Sequence, residues 1–173
     1  MNDTKMQIAT WKLLSEFTSD DPTRGALNHV DVDPSRTVLV ATSGHRLIKV
    51  KFSVPSPGRI APEGPKPVHV DPLKAIALLK ANMPPELLPY EKTDAEFPEY
   101  SRVLKSEMDV PAIKVGFDVG LLGSSLQAIA AFAKAWHIPL PSEFTHGGVN
   151  DPVRIFLRSS GVEVTVLVMP CGL

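Results

Sequence analysis

The chain has 173 residues, 43% of them hydrophobic and 21% charged; that balance excludes wholesale disorder and fits about one domain. Its single cysteine, Cys171, excludes an intramolecular disulfide, and a chain this long can bury a core without one. The formal net charge of −1 excludes a histone-like basic coat and leaves only local basic surface for nucleic acid.

In chain order, the opening Met1-Asn2-Asp3-Thr4-Lys5 lacks the charged-then-apolar plan of a signal peptide. No apolar run approaches the ~18 residues of a membrane span. A cytoplasmic protein with no membrane contact is expected. Met6-Gln7-Ile8 reads as a short strand, Thr10 as a cap, and Trp11 to Thr18 as a helix, with Trp11, Leu14 and Phe17 at helical spacing. Gly25 to Asp33 reads as a strand. Thr37–Ala41 and Arg46–Phe52 read as a hairpin around Thr42-Ser43-Gly44-His45.

Of the 17 prolines, many fall at 55–72 and 139–152, which predicts long surface loops. The loops are expected at about 53–67 and 137–152. After the first, Val68-His69-Val70 predicts a strand. Asp71 is placed to cap a helix over Leu73–Ala81, with Pro72 suited to its first position. Ile113–Phe117 predicts another strand, Asp118 another cap, and a helix follows to Trp136 with Leu122, Leu126, Ile129, Ala130, Ala133 and Trp136 on one face. Val153–Arg158 and Val162–Met169 read as a hairpin around Ser159-Ser160-Gly161. Hairpins between helices predict α+β, an antiparallel sheet with helices packed on one face, in a single domain over 1–173. Val68-His69-Val70-Asp71 and Val115-Gly116-Phe117-Asp118 open a near-repeat, although any two capped Ala/Leu helices look alike.

The chemistry on offer is sparse. His29, His45, His69, His137 and His146 show no ligand spacing, so no metal is expected. Gly120-Leu121-Leu122-Gly123-Ser124-Ser125 lacks the lysine of a phosphate loop, and no cofactor is expected. Ser43 and His45 lack a third orienting group, and a lone thiol such as Cys171 is more often a small hydrophobe than a nucleophile. No catalytic residue is assigned. Asp31, Asp33, Asp94, Glu96 and Glu99 read as solvated surface. An apolar end, Val166 to Leu173, is unusual; it predicts a tail packed into the core or lining a groove.

Three segments carry a family resemblance. They are Ala41-Thr42-Ser43-Gly44-His45-Arg46-Leu47, then Phe97-Pro98-Glu99-Tyr100 followed after Ser101 by Arg102-Val103-Leu104, then Val168-Met169-Pro170-Cys171-Gly172-Leu173. In type and order they resemble motifs of the bacterial DNA polymerase III beta subunit, the sliding clamp. Ser43 stands where the family has an acidic residue, and Cys171-Gly172 where it has Met-Arg. Family chains have three domains, whereas this one has room for about one.

The resemblance implies a clamp-like, non-catalytic accessory role in DNA replication or repair. It implies a groove for short motifs of polymerases and repair proteins, built from Thr42, Gly44, His45, Arg46, Leu47, Val168, Met169, Pro170 and Leu173. It also implies double-stranded DNA against inward helix faces, carrying here Lys12, Lys74, Lys80 and Lys134, and assembly of several copies into a ring or arc. The alternatives are a peptide-binding module or clamp remnant that does not bind DNA, and an enzyme using His45 or Cys171. Salt-dependent DNA binding separates the first two, and loss of turnover on substituting His45 identifies the third.

Overall fold

Runs in which every second residue is Val, Leu or Ile build the sheet, because a strand's side chains alternate between its two faces. The computed structural model describes residues 3–33, 37–53, 68–82, 97–100, 118–138, 143–145, 151–159 and 161–170. The strands are β1 Val30–Val32, β2 Val38–Thr42, β3 Arg46–Phe52, β4 Val68–Val70, β5 Glu143–Thr145, β6 Val153–Ser159 and β7 Val162–Val168. The helices are α1 Asp3–Ser15, α2 Pro72–Lys80 and α3 Val119–Trp136. One seven-stranded sheet runs β4-β1-β2-β3-β7-β6-β5, antiparallel at every pairing.

One face of that sheet carries Val30, Leu39, Ile48, Val70, Ile155 and Val166, packed against Trp11, Phe17, Ile76, Leu79, Ile129 and Phe132 of the helical layer. α1 lies between α2 and α3 and touches both. The expected α+β architecture, with helices on one face of an antiparallel sheet, is the observed one. The other face holds a small cluster, Val40, Leu47 and Leu167, covered by Phe97 and Tyr100. The caps form as expected. Asp71 Oδ1 accepts the Leu73 and Lys74 N–H groups at 2.9 and 3.2 Å, and Asp118 Oδ1 accepts the Leu121 N–H at 2.9 Å. Both satisfy donors that the first helical turn leaves without carbonyl partners.

Five local expectations are corrected. Met6–Ile8 is not a strand, and Thr10 is not a cap: α1 runs unbroken from Asp3. The buried stripe of Trp11, Leu14 and Phe17 extends back through Thr10 and Gln7 at helical spacing. Thr10 Oγ1 donates to the Met6 carbonyl at 2.9 Å and accepts from Trp136 Nε1 at 3.3 Å, so it is satisfied inside the helix. Gly25–Asn28 forms a 3-10 turn, and the strand there shrinks to Val30–Val32, since Gly-Ala-Leu-Asn has no alternation to bury. The stretch 137–152 contains the short edge strand β5, paired with β6. Asp31, expected in solvent, is 7% exposed. The strand expected at 113–117, and with it Val115-Gly116-Phe117 of the near-repeat, lies outside the described residues, as do Asp94, Glu96 and most of the 53–67 loop. No described helix is long and apolar enough to cross a membrane.

Candidate functional site

The site is built where the β2–β3 turn meets the end of β7. Thr42 closes the turn with its own side chain: Oγ1 donates to the Arg46 carbonyl at 2.9 Å and accepts the Gly44 N–H at 3.1 Å. Gly44 has φ +92°, a region that costs side-chain-bearing residues dearly. Arg24 fastens the turn from outside, Nη1 donating to the Ser43 carbonyl at 3.2 Å. Beyond the last β3–β7 pair, Arg46 with Val168, the ladder gains one more bond, from the Met169 N–H to the His45 carbonyl at 2.9 Å.

The two segments therefore meet, and between them lies a cavity of about 160 Å³. Its floor is Leu47 and Leu167, side by side across the β3–β7 register. Thr42, Gly44 and Met169 form one rim, and Pro98, Glu99 and Tyr100 the opposite wall. Phe97 and Tyr100, edge to face at 6.1 Å, hold that wall on the sheet. An apolar floor of this size suits one bulky apolar side chain, with backbone groups at the rim to orient it.

The residues that the resemblance implied divide in two. Thr42, Gly44, Leu47 and Met169 line the cavity. His45 is exposed and offers its carbonyl to the Met169 N–H, and Pro170 follows, half-buried. Val168 points the other way, into the main core. Arg46 borders the cavity, but its guanidinium lies on the helical face of the sheet. There Nη1 donates to Ser124 Oγ at 2.7 Å, and the group stands 5.3 Å from the Phe17 ring. Strand alternation dictates this: Arg46 shares a face with Ile48 and Val50, not with Leu47. Burial presses its pKa down, and Glu16 and Asp20 press it back up. Leu173 lies outside the described residues. Leu167, Pro98, Glu99 and Tyr100 were missed as site residues. The signal for Leu167 was the parity it shares with Leu47 once β3 and β7 are paired.

Behind the aromatic wall lies a polar pair. Asp31 and His69 face each other across β1 and β4. Each is 7% exposed, and neither Asp31 Oδ1 nor His69 Nδ1 has a hydrogen-bond partner. The His69 ring lies 6.2 Å from Phe97. Burial, and then the neighbouring Asp33, push the Asp31 carboxyl up to about 6. Burial, and then His29, hold the His69 imidazole below its usual value. The Tyr100 phenol is pushed up by burial and by Asp31 and Asp33. Among the described residues, no three His, Cys, Asp or Glu side chains group as a metal site would require.

On the helical layer, Lys12, Lys74, Lys80 and Lys134 are all exposed. Lys74 ion-pairs with Asp71 at 3.6 Å. Lys12 and Lys5 border a cleft of about 460 Å³ between α1 and α3, floored by Ile8, Ala128 and Phe132. This cleft is larger than the cavity at the turn, but neither of the meeting segments contributes to it.

A helical layer on one antiparallel sheet, with a turn and a terminal strand meeting on the open face, is the architecture of a DNA clamp. Solved structures bear this out at the level of fold. The DNA polymerase III beta chain of Streptococcus pneumoniae aligns with a TM-score of 0.65 at 13% identity, over 98% of this chain and 63% of its own. The sliding clamp of Pseudomonas aeruginosa aligns with a TM-score of 0.61 at 14% identity, over 96% of this chain and 65% of its own. The beta sliding clamp of C. crescentus aligns with a TM-score of 0.55 at 18% identity, over 98% of this chain and 64% of its own. The chain thus has the sliding-clamp fold and spans less than two thirds of the length of these clamps. No family model and no curated protein matches the sequence.

Proposed function

We propose that this chain is a non-catalytic, clamp-like accessory protein of DNA replication or repair, and that the cavity between Thr42 and Met169 captures short apolar motifs of polymerases or repair proteins. The observation that supports it most is the hydrogen bond from the Met169 N–H to the His45 carbonyl. It joins the two motif-bearing segments over a floor of Leu47 and Leu167. Among structures of the same fold, the clamp of Pseudomonas aeruginosa has been solved bound to griselimycin. That of C. crescentus has been solved with polyethylene glycol at a β-motif tethering region.

The test is fluorescence anisotropy with a labelled clamp-binding peptide from a replicative polymerase, beside a scrambled peptide. Saturable binding of the first, lost in Leu47→Asp, is the expected result. Equal binding of both peptides, or none up to about 1 mM, overturns the reading; that concentration corresponds to only about 4 kcal/mol of binding free energy.

Duplex DNA against the helical layer is the second reading, favoured by the exposure of Lys12, Lys74, Lys80 and Lys134. Each phosphate neutralised adds about 0.9 to the slope of log affinity against log salt, so four lysines of one copy give at most about −3.6. With Lys74 engaged by Asp71, the slope falls nearer −2.7. Appreciable affinity near physiological salt then requires several copies acting together.

A further inference from the structure

We propose that the Phe97–Tyr100 segment is a pH-responsive wall of the groove, seated over the cross-strand pair Asp31 and His69 when Asp31 is protonated and released when Asp31 ionises. This deepens the peptide-capture reading by naming a control on the same site. It stands on three observations. Asp31 and His69 sit opposite each other on β1 and β4. Both are more than nine-tenths buried, with Asp31 Oδ1 and His69 Nδ1 unpartnered. The segment above them supplies Phe97, 6.2 Å from the His69 ring, and Pro98, Glu99 and Tyr100 of the cavity wall.

A carboxylate with an oxygen stripped of water and given no hydrogen-bond donor, as Asp31 Oδ1 is, is costly, whereas a neutral carboxylic acid is less so. Seating the aromatic wall removes that water, so seating and protonation of Asp31 favour each other. The surroundings do not reverse this. Asp33, the nearest charge along the chain, opposes ionisation of Asp31. On β4 the facing group is His69, held toward its neutral form by burial and by His29. Across β2 the neighbour is Val40, and only beyond it, on β3, comes Lys49. From above come Phe97, Glu99 and Tyr100, whose phenol resists ionisation. The helices pack on the opposite face of the sheet.

With the Asp31 carboxyl moved from 3.8 to about 6, the seated-to-released ratio falls by up to about a hundredfold as pH rises from about 4 to 7. His69 works from the other side, since its protonation in more acid solution also opposes seating. The Asp31 contribution to seating is complete below about 3.8 and is lost as pH rises through about 6, so peptide capture is stronger at pH ~5 than at pH ~7.5.

The test reads the wall without any peptide. Tyr90 is the other of the two tyrosines, so the full chain with Tyr90→Phe, labelled with 3-fluorotyrosine, gives one fluorine resonance, from Tyr100. It is followed between about pH 4.5 and 7.5, the span of the Asp31 transition. The expected result is a shift with a midpoint near 6 that vanishes in Asp31→Asn and persists in His69→Gln. A resonance that stays put, or the same midpoint in Asp31→Asn, overturns the proposal. Should Asp31→Asn fail to fold, the carbon-13 carboxyl resonance of Asp31 in the unsubstituted chain decides instead. A midpoint near 6 supports the proposal, and one near the ordinary 3.8 overturns it. Failure of peptide capture alone leaves these readouts untouched, so the two ideas fail separately.

Discussion

Replacing Arg46 by methionine tests whether this arginine serves the groove or the helical layer. Arg46→Met keeps most of the apolar stem and removes the guanidinium. The structure assigns that group three contacts, hydrogen bonds to Ser124 Oγ at 2.7 Å and to Ser125 Oγ at 3.5 Å and the 5.3 Å approach to the Phe17 ring. A hydrogen bond to a charged group contributes about 1.5–3 kcal/mol, and a partly buried cation over an aromatic ring about 0.5–2 kcal/mol. Burial already disfavours the charge, so removing it returns part of that. A net loss of about 2 kcal/mol follows, or a fall of about 4–8 °C in Tm for a chain of this size. Calorimetry or circular dichroism measures it. A double-mutant cycle with Ser124→Ala isolates the pair, with an expected coupling of about 1 kcal/mol. Peptide affinity in Arg46→Met should change by less than about threefold, because the guanidinium lies across the sheet from the cavity. Unchanged stability together with a loss of capture above about tenfold would refute the assignment and return the side chain to the groove.

Leu167→Ala should cost about 2–3 kcal/mol by urea denaturation and weaken peptide capture, since it opens the cavity floor; stability equal to the unsubstituted chain would contradict its burial. Gly44→Ala should lose about 1–2 kcal/mol from its positive φ, and the added methyl would also press on Arg24 Nη1, 3.3 Å from where it would stand; a neutral result by thermal melt would mean that the turn adopts another form. Asp71→Ala should cost about 1 kcal/mol through the lost cap of α2, read as a lower urea midpoint, while Asp71→Asn should recover most of it. The Asp31 carboxyl is raised in the folded chain, so its contribution to stability is complete below about 3.8 and is lost as pH rises through about 6. Asp31→Asn should therefore gain on the unsubstituted chain between pH 5 and 7, by at most about 3 kcal/mol and nearer 1–2 kcal/mol after solvent screening. A difference that does not vary with pH would place Asp31 in solvent.

Where one element's own pattern suffices, the sequence was legible. Apolar runs on either side of Thr42-Ser43-Gly44-His45 mark the hairpin, so the hairpin follows from local chemistry, with β3 at its expected bounds and β2 one residue later than the expected Thr37–Ala41. Asp71-Pro72 and Asp118 announce α2 and α3 because a short carboxylate is the natural partner of unpaired N–H groups. The start of α1 was misread for a local reason too: a buried Gln7 and a Thr10 bonded to its own helix look like a strand and a cap until the helix is followed back to Asp3. What neighbours decide was not legible. Alternation says that Arg46 and Leu47 face opposite ways, but only the packing of α1 and α3 on one face shows that Arg46 belongs to the helices and Leu47 to the cavity. The carboxyl of Asp31 reads as solvent-facing on a three-residue strand, and it became a buried acid because β4, β2 and the distant Phe97–Tyr100 segment close around it. The meeting of His45 with Met169 spans most of the chain. It exists because β7 adds to β3 in one register out of several, and that register is selected by the apolar face it buries against the helices.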